Sequence, residues 1–210
     1  MNRFSAVGRA AKRTLDVMLS GGGLIVSSPL WILIAVAIKG ESRGPVFFTQ
    51  PRVGERGRIF GTLKFRSMVV DAERDVGPIQ AAEHDTRVTR VGRFLRVSAM
   101  DELPQLWNIF RGDMSFVGPR ALRPDEVEAD GRGEIVPIQK VPGFAQRSAV
   151  RPGLTGVAQI YAPRDVLRRH KFRYDRLYIR RQSFALDLRL ILLSFWITAR
   201  GTWEVRGRKF

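Results

Sequence analysis

Between Val17 and Ile38 the chain carries no charged side chain, an uninterrupted run of 22 residues ending in Leu30-Trp31-Ile32-Leu33-Ile34-Ala35-Val36-Ala37-Ile38. As a straight helix it would measure about 33 Å, enough to cross the hydrocarbon core of a bilayer. It is longer than the apolar core of a cleavable signal peptide and flows directly into Lys39, which disfavours that reading. Ser27-Ser28-Pro29 sits at its middle. Proline removes a backbone donor and crowds the preceding turn, while serine hydroxyls can take up freed carbonyls, so a break is expected at Ser28-Pro29. Arg9, Lys12 and Arg13 precede the run, and Lys39 and Arg43 follow it. Lys and Arg favour the cytoplasmic face, so cations at both ends place both ends on one side. The run reads as a re-entrant, monotopic helix that enters one leaflet and returns. A kinked spanning helix is the rival, and a buried helix of a soluble core is a more distant third.

Composition bounds the chemistry. The 210 residues carry a formal charge of +16, which calls for a polyanionic partner: nucleic acid, an anionic membrane surface or phosphorylated substrates. The absence of cysteine excludes disulfides, thiolate metal sites and a thiol nucleophile, and only His84 and His170 could serve a His-built metal site. Carboxylates, hydroxyls, arginines and a hard divalent cation remain.

After Ile38 no apolar run is long enough to span a bilayer, so the rest reads as one water-facing α+β domain. Residues 46–50 and 59–66 have the β-branched and aromatic content of strands around the turn-rich segment 51–57, which predicts a β hairpin. Met68 to Arg74 predicts the start of a helix, followed by a polar loop from Gly77 to Thr86. Leu103, Leu106, Trp107 and Phe110 recur at helical spacing. Pro104 is tolerated only in a first turn, so this amphipathic helix should begin near Asp101. Residues 111–120 read as a short strand closed by a Gly-Pro turn, residues 125–133 as a helix end and loop, and residues 150–160 as a turn feeding a strand. Leu186 to Ile197 is apolar apart from Asp187, Arg189 and Ser194. It suits a helix in the membrane interface, with Trp196 and Trp203 at headgroup level, or equally a core helix.

Asp101-Glu102 is the first candidate for chemistry. Ser98-x-x-Asp101 also fits a capping box, which would make the pair a helix cap beside a solvated Glu. Lys64, Arg66, Arg96, Arg120 and Arg151 stand beside strands, turns or the carboxylates. Each alone reads as a solvated charge. Together they suggest a diphosphate site, because guanidinium forks match phosphate oxygens and a carboxylate can hold Mg2+ or attack phosphorus. The basic, aromatic run from Arg168 to Tyr178 keeps single-stranded nucleic-acid binding open as a rival, although no recognised binding motif accompanies it.

Ser28-Pro29, Lys64-Phe65-Arg66-Ser67-Met68, Asp101-Glu102-Leu103-Pro104-Gln105-Leu106-Trp107-Asn108, the block Asp113 to Arg120 and Arg151-Pro152-Gly153-Leu154-Thr155-Gly156 stand in the order seen in the bacterial sugar transferases. The chain resembles these monotopic phosphoglycosyl transferases from Lys12 to about Thr198, in their minimal catalytic form. The resemblance implies a membrane helix within residues 1–40 and a catalytic domain in residues 41–210 on the cytoplasmic face of a bacterial inner membrane. It implies transfer of a sugar 1-phosphate from a UDP-sugar to polyprenyl phosphate, with release of UMP, at the start of glycoconjugate assembly. Asp101 would be the nucleophile and would sit beside Mg2+. Glu102 would take the acceptor's proton or help to hold the metal. Arg96 and Arg120, and with them Lys64, Arg66 and Arg151, would bind phosphate. Anionic lipids would attract the basic surface, nucleic acid would not be a partner, and the apolar C-terminal helix could serve a homodimer. A noncatalytic assembly subunit that keeps only the fold is the remaining alternative, disfavoured by the intact carboxylate pair. Sugar contacts would fall to loops such as residues 77–86 and 125–143, which no motif reads.

Overall fold

A computed structural model describes residues 5–72, 85–129, 134–163 and 166–200. The fold mixes helices with short strands. Helix α1 (Ala6–Glu41) is followed by β1 (Phe47–Val53), β2 (Ile59–Phe65), α2 (Arg90–Val97), α3 (Gln105–Arg111), β3 (Ser115–Val117), β4 (Val127–Ala129), β5 (Ile135–Pro137), α4 (Phe144–Arg147), β6 (Gly153–Thr155), α5 (Val157–Tyr161), α6 (Arg168–Arg181) and α7 (Phe184–Ala199). β1 pairs antiparallel with β2, β3 parallel with β6, and β4 antiparallel with β5.

α1 is one helix through Pro29, with the backbone turn at Ser28-Pro29 tied by side-chain hydrogen bonds. The reason is local. Pro29 deprives the Ile25 carbonyl of its usual donor, and the Ser28 hydroxyl replaces it at 2.8 Å. Ser27 donates to the Gly23 carbonyl at 2.6 Å and accepts from Trp31 Nε1 at 3.0 Å, so a second turn is tied in the same way. α1 is long and apolar enough to cross a membrane, and only 11% of its most apolar window is buried against the protein. That low figure removes the reading of a soluble core helix. Ile25, Val26, Ile32, Leu33 and Val36 point away from the domain.

Both ends of α1 are nevertheless fastened to the same domain. Near its start, Asp16 Oδ1 accepts from Ser115 Oγ at 3.1 Å and from the Phe116 amide at 3.0 Å. Lys12 donates to Asp187 at 2.7 Å and to the Val117 carbonyl at 3.0 Å. Arg13 caps the C-terminal end of α3 through the Ile109 and Phe110 carbonyls, each at 2.7 Å. Near its end, Ile34 and Ile38 pack on Phe65 and Leu95, and Trp31 meets Phe47 and Phe65 at ring-centroid separations of 5.8 and 5.4 Å.

The hairpin forms as expected, but residues 51–53 belong to β1 and not to the turn, because Pro51 opposes Gly61, Arg52 opposes Phe60 and Val53 opposes Ile59. No helix starts at Met68, which instead bridges Val88, and residues 70–72 turn. Residues 127–129, in the segment expected to be a helix end and loop, pair with β5. The strand expected within 150–160 is confined to β6, and α5 follows it. α7 is apolar on both its buried and its exposed face. Asp187, Leu190, Ile191 and Ile197 are buried, while Leu188, Leu192, Phe195 and Trp196 are exposed. Loop residues 77–84 and Trp203 lie outside the described residues.

The main core joins Phe60, Ile109, Met114, Val117, Tyr178, Leu190 and Ile197, so hairpin, α3, β3, α6 and α7 share one apolar centre. Asp16→Ala would leave two inward donors without an acceptor and is expected to lower stability by about 3 kcal/mol, read as a fall in Tm of about 6–12 °C in detergent. Asp16→Asn keeps the accepting oxygen and should cost less than half as much; equal losses would show that charge, not hydrogen bonding, holds α1 there.

Candidate active site

The carboxylate pair is delivered by a sharp turn between two helices. α2 is capped at its start by Thr89, whose hydroxyl accepts from the Gly92 amide at 2.9 Å. It ends at Ser98, whose hydroxyl donates to the Phe94 carbonyl at 2.8 Å. Ser98 therefore closes the preceding helix, and the capping box expected with Asp101 does not form. Ala99 then takes a left-handed conformation, with φ 56°, and reverses the chain. Met100–Glu102 forms one turn of 3-10 helix, and α3 begins only at Gln105 after Pro104.

Around this turn the structure gathers Lys64, Asp101, Glu102 and Arg120. Lys64 Nζ lies 2.6 Å from Glu102 Oε1 and 3.9 Å from Asp101 Oδ2. Arg120 Nη2 lies 3.8 Å from Glu102 Oε1, with half of its side chain exposed. Asp101, in contrast, receives no hydrogen bond among the described residues, although its side chain is only 13% exposed. The electrostatics divide the pair. Burial pushes Asp101 up to about 6; the neighbouring Glu102 charge adds to this, and Lys64, Arg96 and Arg120 oppose it. Burial would raise Glu102 too, but Lys64 and Arg120 outweigh it and hold the group down at about 2.

Arg96 thus acts on Asp101 through space from the last turn of α2. Arg66 does not join the group. Its buried guanidinium donates to the Arg43 carbonyl at 2.7 Å, the Ser42 carbonyl at 2.8 Å and Ser42 Oγ at 2.9 Å, so it secures the chain leaving α1. Arg151 does not join it either. It lies 3.7 Å from Glu55, in a separate concavity with Arg13, Arg58, Arg111 and Asp113.

Sequence reading missed two arginines. Arg52 donates to the Ala121 carbonyl at 3.1 Å and to Gln50, and its charge helps to keep Glu102 ionised. Burial, together with the nearby Arg120 and Arg123, lowers the Arg52 guanidinium to about 10. Arg147 is buried. It donates to the Arg120 carbonyl at 2.6 Å and to Asp175 at 2.8 Å, and its guanidinium lies 4.7 Å from the Phe172 ring centre. No local pattern marks either residue, since each depends on a strand or helix contact remote in sequence.

Glycines bring the Arg120 turn into place. A Cβ on Gly153 would lie 2.0 Å from the Gly118 amide nitrogen, and one on Gly118 would lie 2.4 Å from the Arg151 carbonyl. No larger residue fits at either position without separating β3 from β6. The Gly153 amide donates to the Pro119 carbonyl at 2.9 Å, which fixes the backbone one residue before Arg120.

Among the described residues no cluster of three or more metal-ligating side chains occurs. Mg2+ needs none, since it is commonly held by one or two carboxylates completed by substrate phosphates and water. The undonated carboxylate of Asp101 fits that demand better than Glu102, whose oxygen is engaged by Lys64.

The family model described as bacterial sugar transferase matches residues 7–201. The chain is 42% identical over 196 residues to a UDP-glucose:undecaprenyl-phosphate glucose-1-phosphate transferase of Klebsiella pneumoniae, covering 91% of this chain and 40% of that protein. A protein of the same name in Caulobacter vibrioides is 43% identical over 188 residues, covering 86% of this chain and 67% of the relative. The exopolysaccharide production protein ExoY of Rhizobium meliloti is 36% identical over 199 residues, covering 88% and 84%. The chain thus spans well under half the length of the Klebsiella relative. The match runs through α1, the carboxylate turn, the Arg120 turn and α7, and with it the chain belongs to the bacterial sugar transferase family.

Proposed function

We propose that this chain transfers a sugar 1-phosphate from a UDP-sugar to a polyprenyl phosphate and so begins the assembly of an exopolysaccharide or related glycan. The observation that carries the reading is the unequal carboxylate pair: Asp101 enclosed but receiving no hydrogen bond, and Glu102 held ionised by Lys64 and Arg120. The names of the relatives supply the substrate class, UDP-glucose and undecaprenyl phosphate, and another relative in Aeromonas hydrophila is named for UDP-N-acetylgalactosamine.

In this reading an Asp101 oxygen attacks the β-phosphorus of the donor. The bond from that phosphorus to the bridging oxygen breaks, UMP departs with the electron pair, and an acyl phosphate to the sugar remains on Asp101. A phosphate oxygen of the acceptor then attacks the same phosphorus and restores the free carboxylate. Arg120, half exposed at its fixed turn, and Arg96 supply positive charge to the phosphate oxygens. Lys64 and Arg120 keep Glu102 ionised, so that Glu102 can accept a hydrogen bond from a protonated phosphate oxygen of the acceptor and orient it for attack. Mg2+, held by Asp101 and the donor phosphates, would neutralise the diphosphate and ease departure of UMP.

α1 supports a membrane arrangement for this reading. Its two ends pack on one domain and carry cations at both flanks, which supports a re-entrant course that returns to the cytoplasmic face of the inner membrane. The exposed face of α7, with Phe195 and Trp196, then suits the interface of the same leaflet.

UMP release is measured with a panel of UDP-sugars, Mg2+ and undecaprenyl phosphate, beginning with UDP-glucose. Asp101→Asn is expected to abolish both turnover and the trapping of labelled phosphosugar on the protein. Glu102→Gln should slow turnover by about 10²-fold while still permitting trapping. Turnover by Asp101→Asn at the native rate would overturn the assignment. Chelation of divalent cations should stop UMP release and added Mg2+ should restore it; activity that survives chelation would remove the metal from the mechanism.

A further inference from the structure

The concavity that takes Arg151 is the second place where cations converge. Arg13 of α1, Arg58 before β2, Arg111 at the end of α3 and Arg151 before β6 line about 540 Å³ of space with Gly112 and Asp113. Against four guanidinium groups stand Asp113, which accepts from Arg111 Nε at 2.7 Å, and Glu55, 3.7 Å from Arg151. Arg13 spends its donors on backbone carbonyls, which leaves its charge uncompensated, and Arg58 is exposed with no carboxylate partner among the described residues. The local excess is two positive charges. Gly112 shapes the floor. It adopts φ 100°, and a Cβ there would lie 3.3 Å from Arg13 Nη2, inside the space the guanidiniums enclose.

This place is distinct from the carboxylate pair. Arg58 and Lys64 are six residues apart along β2, roughly 20 Å, and the side chains of Phe60 and Thr62 are buried between them on the same strand face. Arg13 stands four residues before the start of the uncharged run of α1, which brings the concavity towards the level where that run would enter a membrane.

We propose that Arg13, Arg58, Arg111 and Arg151 form a second anion site that binds a phosphate ester independently of Asp101 and Glu102. Convergent guanidinium forks with too few carboxylates are matched by phosphate oxygens, which accept two N–H donors side by side. Two sources present this chemistry: the phosphodiester of an anionic lipid headgroup, and the phosphate of a soluble nucleotide.

Binding to the whole protein in detergent micelles is measured by calorimetry with short-chain phosphatidylglycerol, short-chain phosphatidylcholine and UMP. The readout needs no turnover, so it can fail while the transferase reading stands, and the reverse. Arg58→Gln combined with Arg111→Gln should weaken the responsive probe about tenfold, and Arg58→Lys alone should weaken it less. Arg58→Gln by itself removes an exposed side chain without a carboxylate partner and guards against a folding artefact. A loss confined to phosphatidylglycerol assigns the site to a lipid headgroup, and a loss confined to UMP assigns it to the nucleotide. Unchanged binding of both probes in the double variant, or no binding by the native protein, overturns the proposal.

Discussion

The polar turn of α1 that plugs into the domain is the contact on which the rest depends. Lys12 meets Asp187 and the Val117 carbonyl, Asp16 meets Ser115 and the Phe116 amide, and Tyr178 lies 2.8 Å from Asp187. One helix is thereby joined to β3, α6 and α7 within a single buried network. Burial pushes Asp187 upward while Lys12 opposes it, and burial next to Asp187 pushes the Tyr178 phenol well above its ordinary value. Such a network is a weak source of net stability but costly to break, because one partner's loss strands the others away from water. Its effect is to fix the height of the domain relative to an apolar helix.

That fixation reaches the site through β3. The strand is held by Asp16 and Lys12 on one side and by β6 on the other, and it runs directly into Gly118-Pro119-Arg120. The turn is then tied at successive residues: the Gly118 amide to the Thr155 carbonyl, the Pro119 carbonyl to the Gly153 amide, the Arg120 carbonyl to Arg147 and the Ala121 carbonyl to Arg52. A guanidinium on a backbone secured in this way loses little freedom when it meets a phosphate, which is the energetic value of a preorganised site. On the function proposed above, an acceptor phosphate would stay at headgroup depth, and this link from α1 to Arg120 would set the position of the chemistry along the membrane normal.

Local chemistry was legible in the sequence, and long-range pairing was not. The uncharged run, the hairpin and the presence of α3 follow from composition and period, but α3 buries Leu106, Asn108 and Ile109 while Trp107 and Phe110 of the expected apolar stripe are exposed. Asp101-Glu102 stands out by its surroundings. Arg66 was misplaced because a Lys-x-Arg pair on a strand puts both side chains on one face, whereas here the second guanidinium turns to the open carbonyls after α1. Ser98-x-x-Asp101 matched a cap by spacing alone, and the left-handed Ala99 that defeats it leaves no mark in residue type. Arg52 and Arg147 were invisible because their roles depend on contacts 69 and 27 residues away. Pro29 takes away the amide that the Ile25 carbonyl would accept from, and the Ser28 hydroxyl supplies a hydrogen bond to that carbonyl in its place.

The unequal carboxylates are best understood from the position of Lys64. Two adjacent acids in a partly enclosed turn raise each other's proton affinity, so a fixed cation is needed to decide which of them stays charged. β2 brings the ammonium to 2.6 Å from Glu102 but leaves it 3.9 Å from Asp101, and Arg120 adds to the same side. Glu102 becomes the compensated partner, while Asp101 keeps lone pairs that no side chain claims. A nucleophile or a metal ligand needs that freedom, and a hydrogen bond from Lys64 would have blunted both. The separation of 3.9 Å still lets the ammonium stabilise negative charge close to Asp101, which matters when a phosphate approaches a carboxylate. The strand register that sets Lys64 opposite Phe48, with Leu63 and Gly61 clasped by Asn108 of α3, therefore decides which of the two acids is compensated.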